Sequence, residues 1–318
     1  MTASRNAMVK PAALRPGATL AVVSPASTPK SELVHQGIGR LQALGYRTVL
    51  GKHALDRGPL YYAGTLEHRL EDFHAAFSDA SIGGILCTRG GWGSAELLPF
   101  LDATLIRANP KAFIAYSDHT ALHSWLHNEA NLVTFHGPMV AADFAREDGV
   151  DMASWRHSVE GDASWSLGAG DGLRVLRGGV AEGVLEGGCL SILAEALGTP
   201  FAPHIQDSIL FLEDIGTKPY QWDRMLLHLR YSGVLKGARG IVFGDMCQCV
   251  TDAENDYLER AIMHSLRDFD GPIAIGLRSG HVGTPNVTLP LGIPVKLDLA
   301  EAGNPQIYFL DSAVIAHL

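Results

Sequence analysis

The chain is short of cysteine, of basic residues and of long apolar runs, and each shortage excludes a class of protein. Only four of the 318 residues are cysteines, and the Cys247-x-Cys249 spacing fits neither a zinc knuckle nor a redox pair, so we expect free thiols. The formal net charge of −9 leaves no basic stripe for nucleic acid or for an anionic membrane. No apolar run approaches the length of a membrane span, and the N-terminus lacks the apolar core of a signal peptide. We therefore expect a cytoplasmic protein without nucleic-acid or membrane partners.

Apolar runs alternate with helical patterns through the first half of the chain. The predicted elements are strands at 19–23, 46–50, 82–88 and 113–116 and helices near 32–44 and 66–78. Nearly continuous apolar strands separated by helices indicate a parallel sheet covered on both faces, as in a Rossmann-like α/β domain. Because the carboxyl ends of such strands meet at one edge, the loops after Val23, Thr88 and Tyr116 should face a common crevice.

Length and composition predict two domains. The chain is 47% hydrophobic and 318 residues long, which is ample for two globular cores. The polar, glycine-rich stretch 143–171 is interpreted as a linker between an N-terminal α/β domain at 1–142 and a C-terminal domain at 172–318. The second half mixes strands and helices and ends in a run of short β pieces, which predicts a mixed α/β domain with a barrel-like sheet.

Ser117 lies where a predicted buried strand gives way to a helix. A serine on such a turn has an exposed hydroxyl in front of a helix N-terminus, whose free N–H groups favour the negative charge that nucleophilic attack creates. The alternative is that Ser117 or Asp118 simply caps the helix, and this segment alone favours the cap. The residues around Ser117 do not form the G-x-S-x-G turn of the ordinary α/β-hydrolases.

Two further strand ends carry groups that could activate a serine. Glu213 closes an apolar run and could hold an imidazole in one tautomer, although it could equally cap the next turn or pair with Lys218 or Arg224. His281 lies in a glycine-flanked loop that would expose its ring. The chain has 14 histidines, so His281 stands out by its strand-end loop rather than by its residue type.

A glycine-rich turn follows the strand that ends at Thr88. Glycines there allow the backbone to come close, and the N–H groups of Gly91 and Asp118 would together form an oxyanion hole. Arg89 could bind a substrate carboxylate and Trp92 could line a pocket, while the alternative is a plain tight turn. The spacing does not match a phosphate-binding loop.

Two other function classes compete with a serine enzyme. His119 and His123 lie four residues apart on a helix face, with Asp118 and His136 as further possible ligands, which would suit a metal-dependent hydrolase. No H-E-x-x-H motif accompanies them, so we expect no metal and no organic cofactor. The second competitor is a non-catalytic protein that binds a ligand in the crevice between the domains.

A set of short motifs occurs in order from about residue 15 to residue 298. Those of the first half are Ala21-Val22-Val23-Ser24-Pro25-Ala26-Ser27, Arg89-Gly90-Gly91-Trp92-Gly93, Tyr116-Ser117-Asp118-His119-Thr120 and Phe135-His136-Gly137-Pro138. Those of the second half are Leu185-Glu186-Gly187-Gly188, Leu212-Glu213-Asp214, Asp223-Arg224 and Gly280-His281. Each motif alone is weak, but the ordered set is specific and resembles the LD-carboxypeptidase family of serine peptidases.

The resemblance implies a mechanism and a substrate class. It implies a triad of Ser117, Glu213 and His281, with the backbone of Gly91 and Asp118 as oxyanion donors. Members of the family release terminal D-alanine from cytoplasmic muropeptide tetrapeptides during cell-wall recycling, and the resemblance also implies a homodimer.

A sister branch hydrolyses the peptide–nucleotide microcin C and confers self-immunity, but residues 199–208 look too short for the nucleotide-binding loop of that branch. Cys189 and Trp92 replace the family's usual asparagine and tyrosine and could shift substrate preference.

Overall fold

A computed structural model describes residues 8–161, 164–251, 254–283 and 285–316. The strands are β1 Thr19–Val23, β2 Arg47–Leu50, β3 Gly84–Cys87, β4 Ala112–Ala115, β5 Thr134–His136, β6 Trp165–Gly168, β7 Arg174–Arg177, β8 Val180–Cys189, β9 Ser208–Glu213, β10 Ala238–Gly244, β11 Ile273–Leu277, β12 Leu289–Leu291, β13 Pro294–Asp298 and β14 Gln306–Phe309. The helices are α1 Ser31–Ala43, α2 Leu66–Ser78, α3 Ser94–Leu97, α4 Ala103–Ala108, α5 Thr120–Ala130, α6 Met152–Arg156, α7 Leu190–Ala196, α8 Pro219–Ser232 and α9 Asn255–Ser265. None of the described helices is both long and apolar enough to cross a bilayer.

Local sequence signals explain where several helices begin and end. The Thr65 side chain accepts a hydrogen bond from the N–H of His68 and caps α2. Asp102 accepts hydrogen bonds from two N–H groups at the start of α4. Helix α8 begins at Pro219, whose missing N–H costs nothing in a first turn. It ends at Ser232 and is capped by Gly233, whose φ of +87° favours glycine.

The first sheet has the order β12-β5-β4-β3-β1-β2, and β1 to β5 run parallel. Every residue of β1, β3 and β4 is buried, which is why these strands read as continuous apolar runs. The predicted N-terminal α/β domain with a parallel sheet is confirmed. The turns after β1, β3 and β4 all lie at the carboxyl edge of this sheet, as expected.

The second sheet has the order β6-β14-β13-β8-β9-β10-β11-β7. Strands β8 to β11 are parallel at its centre, and antiparallel strands flank them on both sides. The predicted mixed α/β character is confirmed. The expected barrel-like closure is not found: in the described pairings β6 and β7 are the two edges, so this sheet is open.

The chain crosses between the two sheets more often than a simple linker would require. The stretch interpreted as a linker contains α6 and β6, and β6 pairs with β14 in the second sheet. Near the end of the chain, β12 returns to the first sheet and pairs antiparallel with β5, with Leu289 opposite His136. The domain bounds at 142 and 172 stay a prediction, whereas the strand pairings show that the two halves interlock.

One apolar core joins both sheets. The same cluster of buried side chains holds Leu20 and Leu86 from the first sheet and Phe211 and Val242 from the second. Trp155 of α6 is fully buried in this cluster. Because burial of apolar surface is the main favourable term in folding, neither sheet keeps its full stability without the other.

We expect the described halves to unfold together, because they share this core. Trp155→Ala should lower the free energy of unfolding by about 3–5 kcal/mol and lower one common midpoint. Urea unfolding followed by far-ultraviolet circular dichroism and by fluorescence should give coincident transitions. Trp92→Ala, at a side chain that is 37% exposed, is the matched control. It should lower the free energy of unfolding by about 1 kcal/mol or less. Two separated transitions in the unmodified protein would contradict the shared core.

Candidate active site

Ser117 lies in a strained turn directly after β4. Its φ is +66°, a backbone conformation that residues other than glycine adopt rarely and often at functional sites. The 3₁₀ turn Ser117–His119 then leads into α5. A serine held in this way presents its hydroxyl at the carboxyl edge of the first sheet, in front of a helix N-terminus.

A continuous hydrogen-bond chain connects Ser117 to the second sheet. The Oγ of Ser117 lies 3.0 Å from Nε2 of His281. Nδ1 of the same imidazole lies 2.7 Å from Oε2 of Glu213, the last residue of β9, and the His281 backbone N–H donates to that oxygen at 3.0 Å. With Nδ1 protonated toward the carboxylate, Nε2 is free to accept the serine proton. The structure thus brings together all three residues predicted from the strand ends.

The electrostatics of the pair favour an ionised carboxylate and a basic imidazole. Burial is the largest single influence on Glu213 and would raise its pKa, but the charge and hydrogen bonds of His281, with a further contribution from His136, lower the pKa below its ordinary value. Burial alone would also lower the pKa of His281, but the charge and hydrogen bond of Glu213 raise it above the ordinary value of 6.5. Such a histidine can take a proton from a serine and hold it.

The glycine-rich turn after β3 packs directly on Ser117. A Cβ added to Gly90 would lie 2.8 Å from both Cβ and Oγ of Ser117 and 3.3 Å from the backbone N of Asp118. Gly91 has a φ of +108°, and a Cβ there would clash with Oγ of Ser27. Glycine is therefore required at both positions. The Asp118 side chain is buried away from the hydroxyl and accepts a hydrogen bond from Ser94 N–H at 2.9 Å.

A cavity of about 480 Å³ opens beside Ser117. Its lining includes Arg89, Gly91, Ser117 and His281, together with apolar side chains such as Met139. Arg89 is exposed, and no ion pair of its guanidinium is found among the described residues. Trp92, predicted to line a pocket, does not line this cavity, although its backbone N–H donates to Oγ of Ser27 at the same turn.

The proposed metal pair is not assembled. His119 is buried, with Nε2 donating to the carbonyl of Arg89 at 2.9 Å and Nδ1 bonded to Ser94 Oγ at 2.7 Å. His123 is likewise buried, between the carbonyl of Ala115 at 2.9 Å and the hydroxyl of Thr134 at 2.7 Å. All four ring nitrogens therefore have protein partners. His119 ends the 3₁₀ turn before α5 and His123 lies in the first turn of that helix, and both are structural histidines.

Contacts that sequence reasoning missed hold the His281 loop. Arg146 donates to the carbonyl of Val282 at 3.3 Å and to Oδ1 of the buried Asp143 at 2.9 Å. Asn286 accepts a hydrogen bond from Gly280 N–H at 3.0 Å. Arg146 lies in the stretch interpreted as a linker, and no signal in the sequence indicated its contact with a loop more than a hundred residues away.

A serine, a histidine and a buried carboxylate in this order, on an α/β scaffold, have the geometry of the serine hydrolases. Two family models match most of the chain: the LD-carboxypeptidase N-terminal domain at residues 20–137 and the LD-carboxypeptidase C-terminal domain at residues 182–297. The chain belongs to the LD-carboxypeptidase family of serine peptidases.

Similar proteins support this membership. The probable murein peptide carboxypeptidase of Bacillus subtilis is 36% identical over 296 residues, which covers 92% of each chain. The muramoyltetrapeptide carboxypeptidase of Oxalobacter formigenes has a TM-score of 0.80 at 29% identity and covers 92% of this chain and 99% of its own. The MccF-like protein of Bacillus anthracis has a TM-score of 0.87 at 27% identity, and the match covers 95% of this chain and 99% of that protein.

The Gly90 contact gives a sharp test of the site. Gly90→Ala should reduce peptidase turnover by about 100-fold or more, because the added methyl displaces the Ser117 hydroxyl from His281. The free energy of unfolding should fall by only about 1–2 kcal/mol. Gly39→Ala, in α1 with open space around its Cα, is the matched control and should leave turnover unchanged. Steady-state kinetics and urea unfolding measure both quantities, and full activity in Gly90→Ala would exclude this placement of the nucleophile.

Proposed function

We propose that this protein is a serine LD-carboxypeptidase that releases the terminal D-alanine of muropeptide tetrapeptides in cell-wall recycling. The observation that carries the proposal is the hydrogen-bond chain from Ser117 through His281 to the buried Glu213. Membership of the LD-carboxypeptidase family supports the reaction class. The names of the Bacillus and Oxalobacter relatives support a muropeptide substrate.

In the proposed mechanism, His281 takes the proton of Ser117 while the Ser117 oxygen attacks the carbonyl of the L,D-amide bond. Glu213 holds the imidazole by Nδ1 and stabilises its protonated form. His281 then passes the proton to the amine of the departing D-alanine, which leaves an ester on Ser117. Water, deprotonated by the same imidazole, attacks this ester and releases the shortened peptide.

We assign the stabilisation of the oxyanion to hydrogen bonds from the backbone N–H groups of Gly91 and Asp118. The turn that contains Gly91 packs against Ser117, and the N of Asp118 follows the nucleophile directly in the chain. Backbone donors placed in this way do not reorganise during the reaction, which is why they stabilise developing charge efficiently.

A carboxypeptidase must also recognise the free carboxylate of its substrate. Arg89 and Lys30 line the cavity beside Ser117, and both are exposed cations in a chain of net charge −9. We assign the terminal carboxylate of D-alanine to Arg89, because its guanidinium can bind a carboxylate through two parallel hydrogen bonds. Trp92 follows Gly91 in the same turn but lies outside this cavity, so it is assigned only to a part of the substrate that extends beyond the cavity.

Microcin-type hydrolysis is the second candidate function, and the structural similarity to an MccF-like protein favours it. Against it, the connection between α7 and β9 covers only residues 197–207 and holds no helix or strand. We therefore retain the muropeptide as the substrate. A cytoplasmic location and a homodimer belong to the same proposal and are supported by the resemblance to the family.

Ser117→Ala should abolish the release of D-alanine from a purified muropeptide tetrapeptide, because no other described hydroxyl lies within hydrogen-bond distance of His281 Nε2. Loss of a triad residue typically costs about 10⁴–10⁶-fold in turnover. The assay is the quantification of free D-alanine with wild-type and variant protein at equal concentration. Ser124→Ala, at a half-buried position on α5, is the matched control and should remain active.

The two candidate substrates can be separated in the same experiment. An aminoacyl sulfamoyl adenosine, supplied in parallel with the tetrapeptide, represents the microcin class. Hydrolysis of this compound without release of D-alanine would replace the muropeptide proposal. Near-normal D-alanine release by Ser117→Ala would overturn the serine mechanism itself.

The pH dependence follows from the raised pKa of His281. His281 acts as a base only when neutral, so kcat/KM should fall as the pH decreases through a pKa above 6.5. Glu213→Gln removes the charge that raises this pKa and leaves burial, which lowers it, so the acid limb should move to lower pH. The same change should reduce kcat by about 10³–10⁴-fold. Measurement of kcat/KM between about pH 5 and 9 tests both effects, and an acid limb that moves to higher pH would contradict them.

A further inference from the structure

The two oxygens of Glu213 have very different surroundings. Oε2 accepts two hydrogen bonds from His281, one from the backbone and one from the ring. Oε1 is buried and accepts none from the described residues. The Nε2 atom of the His136 ring lies 4.0 Å from Oε1.

His136 is a buried imidazole with no other evident task. It is the last residue of β5, its side chain is fully buried, and neither ring nitrogen has a hydrogen-bond partner among the described residues. Aromatic rings surround it, with Phe211 at 5.2 Å in an edge-on arrangement and Tyr116 at 5.9 Å between centroids. A phenylalanine or leucine would fill such a space without leaving polar atoms unpaired. The presence of a histidine at this position therefore requires an explanation.

The charge state of His136 suits a donor to a carboxylate that must remain anionic. Burial is the main cause that lowers the pKa of His136 to about 4, so the ring is neutral at physiological pH. A neutral N–H can orient a carboxylate without cancelling its charge. A cationic residue in the same place would compete with His281 for the negative charge that the triad needs.

We propose that His136 is a positioning residue of the triad, whose neutral Nε2–H is directed at Oε1 of Glu213 and keeps Oε2 on His281. This inference rests on the proposed function, because it assigns Glu213 to the triad. Small rotations of the two side chains, with the sheets unmoved, shorten this 4.0 Å separation by about 1 Å and bring the atoms to hydrogen-bond distance. Since His136 belongs to the first sheet and Glu213 to the second, the contact makes the orientation of the carboxylate depend on how the sheets are docked.

Three substitutions of His136 separate donation from packing. Glutamine places its amide nitrogen near the position of imidazole Nε2, whereas asparagine places it near Nδ1, and phenylalanine offers no donor. We expect His136→Phe and His136→Asn to lower kcat by about 10–100-fold, with KM changed by less than about twofold. His136→Gln should stay within about threefold of the wild type in kcat. If His136→Phe fails to fold, the glutamine and asparagine variants can still be compared, because their side chains differ mainly in how far the amide nitrogen lies from the backbone.

A second readout does not depend on the substrate. Proton NMR of the unliganded protein reports the low-field Nδ1–H of His281, assigned by its loss in His281→Ala. This resonance should be retained in His136→Gln and should shift upfield or disappear in His136→Asn, because a misoriented carboxylate accepts a weaker hydrogen bond.

Equal losses of kcat in the glutamine and asparagine variants, with the His281 resonance unchanged in both, would overturn the positioning role and leave His136 a packing residue. If the wild-type protein releases no D-alanine, the proposed function fails, while the NMR comparison still decides the role of His136.

Discussion

The hydrogen-bond chain Ser117–His281–Glu213 depends on a single constraint. Its members come from two sheets, so each sheet must be positioned against the other to within a few tenths of an ångström. Ser117 follows β4 of the first sheet, whereas Glu213 ends β9 of the second, and His281 lies in a loop after β11. A hydrogen bond weakens steeply as its length and angle change, so the interface between the sheets must be as rigid as the sheets themselves. The shared apolar core supplies that rigidity, since close-packed interiors yield little to small forces.

The same constraint explains several otherwise unrelated contacts. The hydroxyl of Thr120, at the start of α5, accepts a hydrogen bond from the N–H of Cys189, at the end of β8. A Cβ at Gly188 would lie 2.6 Å from that hydroxyl, so only glycine allows the approach. Arg146 ties the loop of His281 to Asp143. Each contact joins elements distant in the chain, and together they surround the site from both halves.

The meeting of Ser117, Glu213 and His281 was predictable from the sequence because each closes an apolar strand or occupies a glycine-flanked strand-end loop, and because strand ends of an α/β protein share one edge. The resemblance of the ordered motifs to the family then favoured Glu213 as an orienting carboxylate over Glu213 as a helix cap. Other features left no such signal. Leu289-Pro290-Leu291 is too short and proline-containing to predict which sheet it joins. His136 was noted only as a possible metal ligand and as part of a family motif, and neither indicates its proximity to Glu213. His119 and His123 had the spacing of metal ligands, but their partners are backbone carbonyls and hydroxyls that no spacing rule identifies.

The return of β12 to the first sheet has a consequence for how the protein is made. The strand that covers β5 lies at Leu289–Leu291, near the end of a 318-residue chain. During translation the sheet that bears the serine keeps this edge unpaired until Leu289–Leu291 has been synthesised, and an unpaired edge is open to wrong strand partners. The edge of the sheet that bears Ser117 is therefore covered only after strands β6 to β11 and His281 have been synthesised.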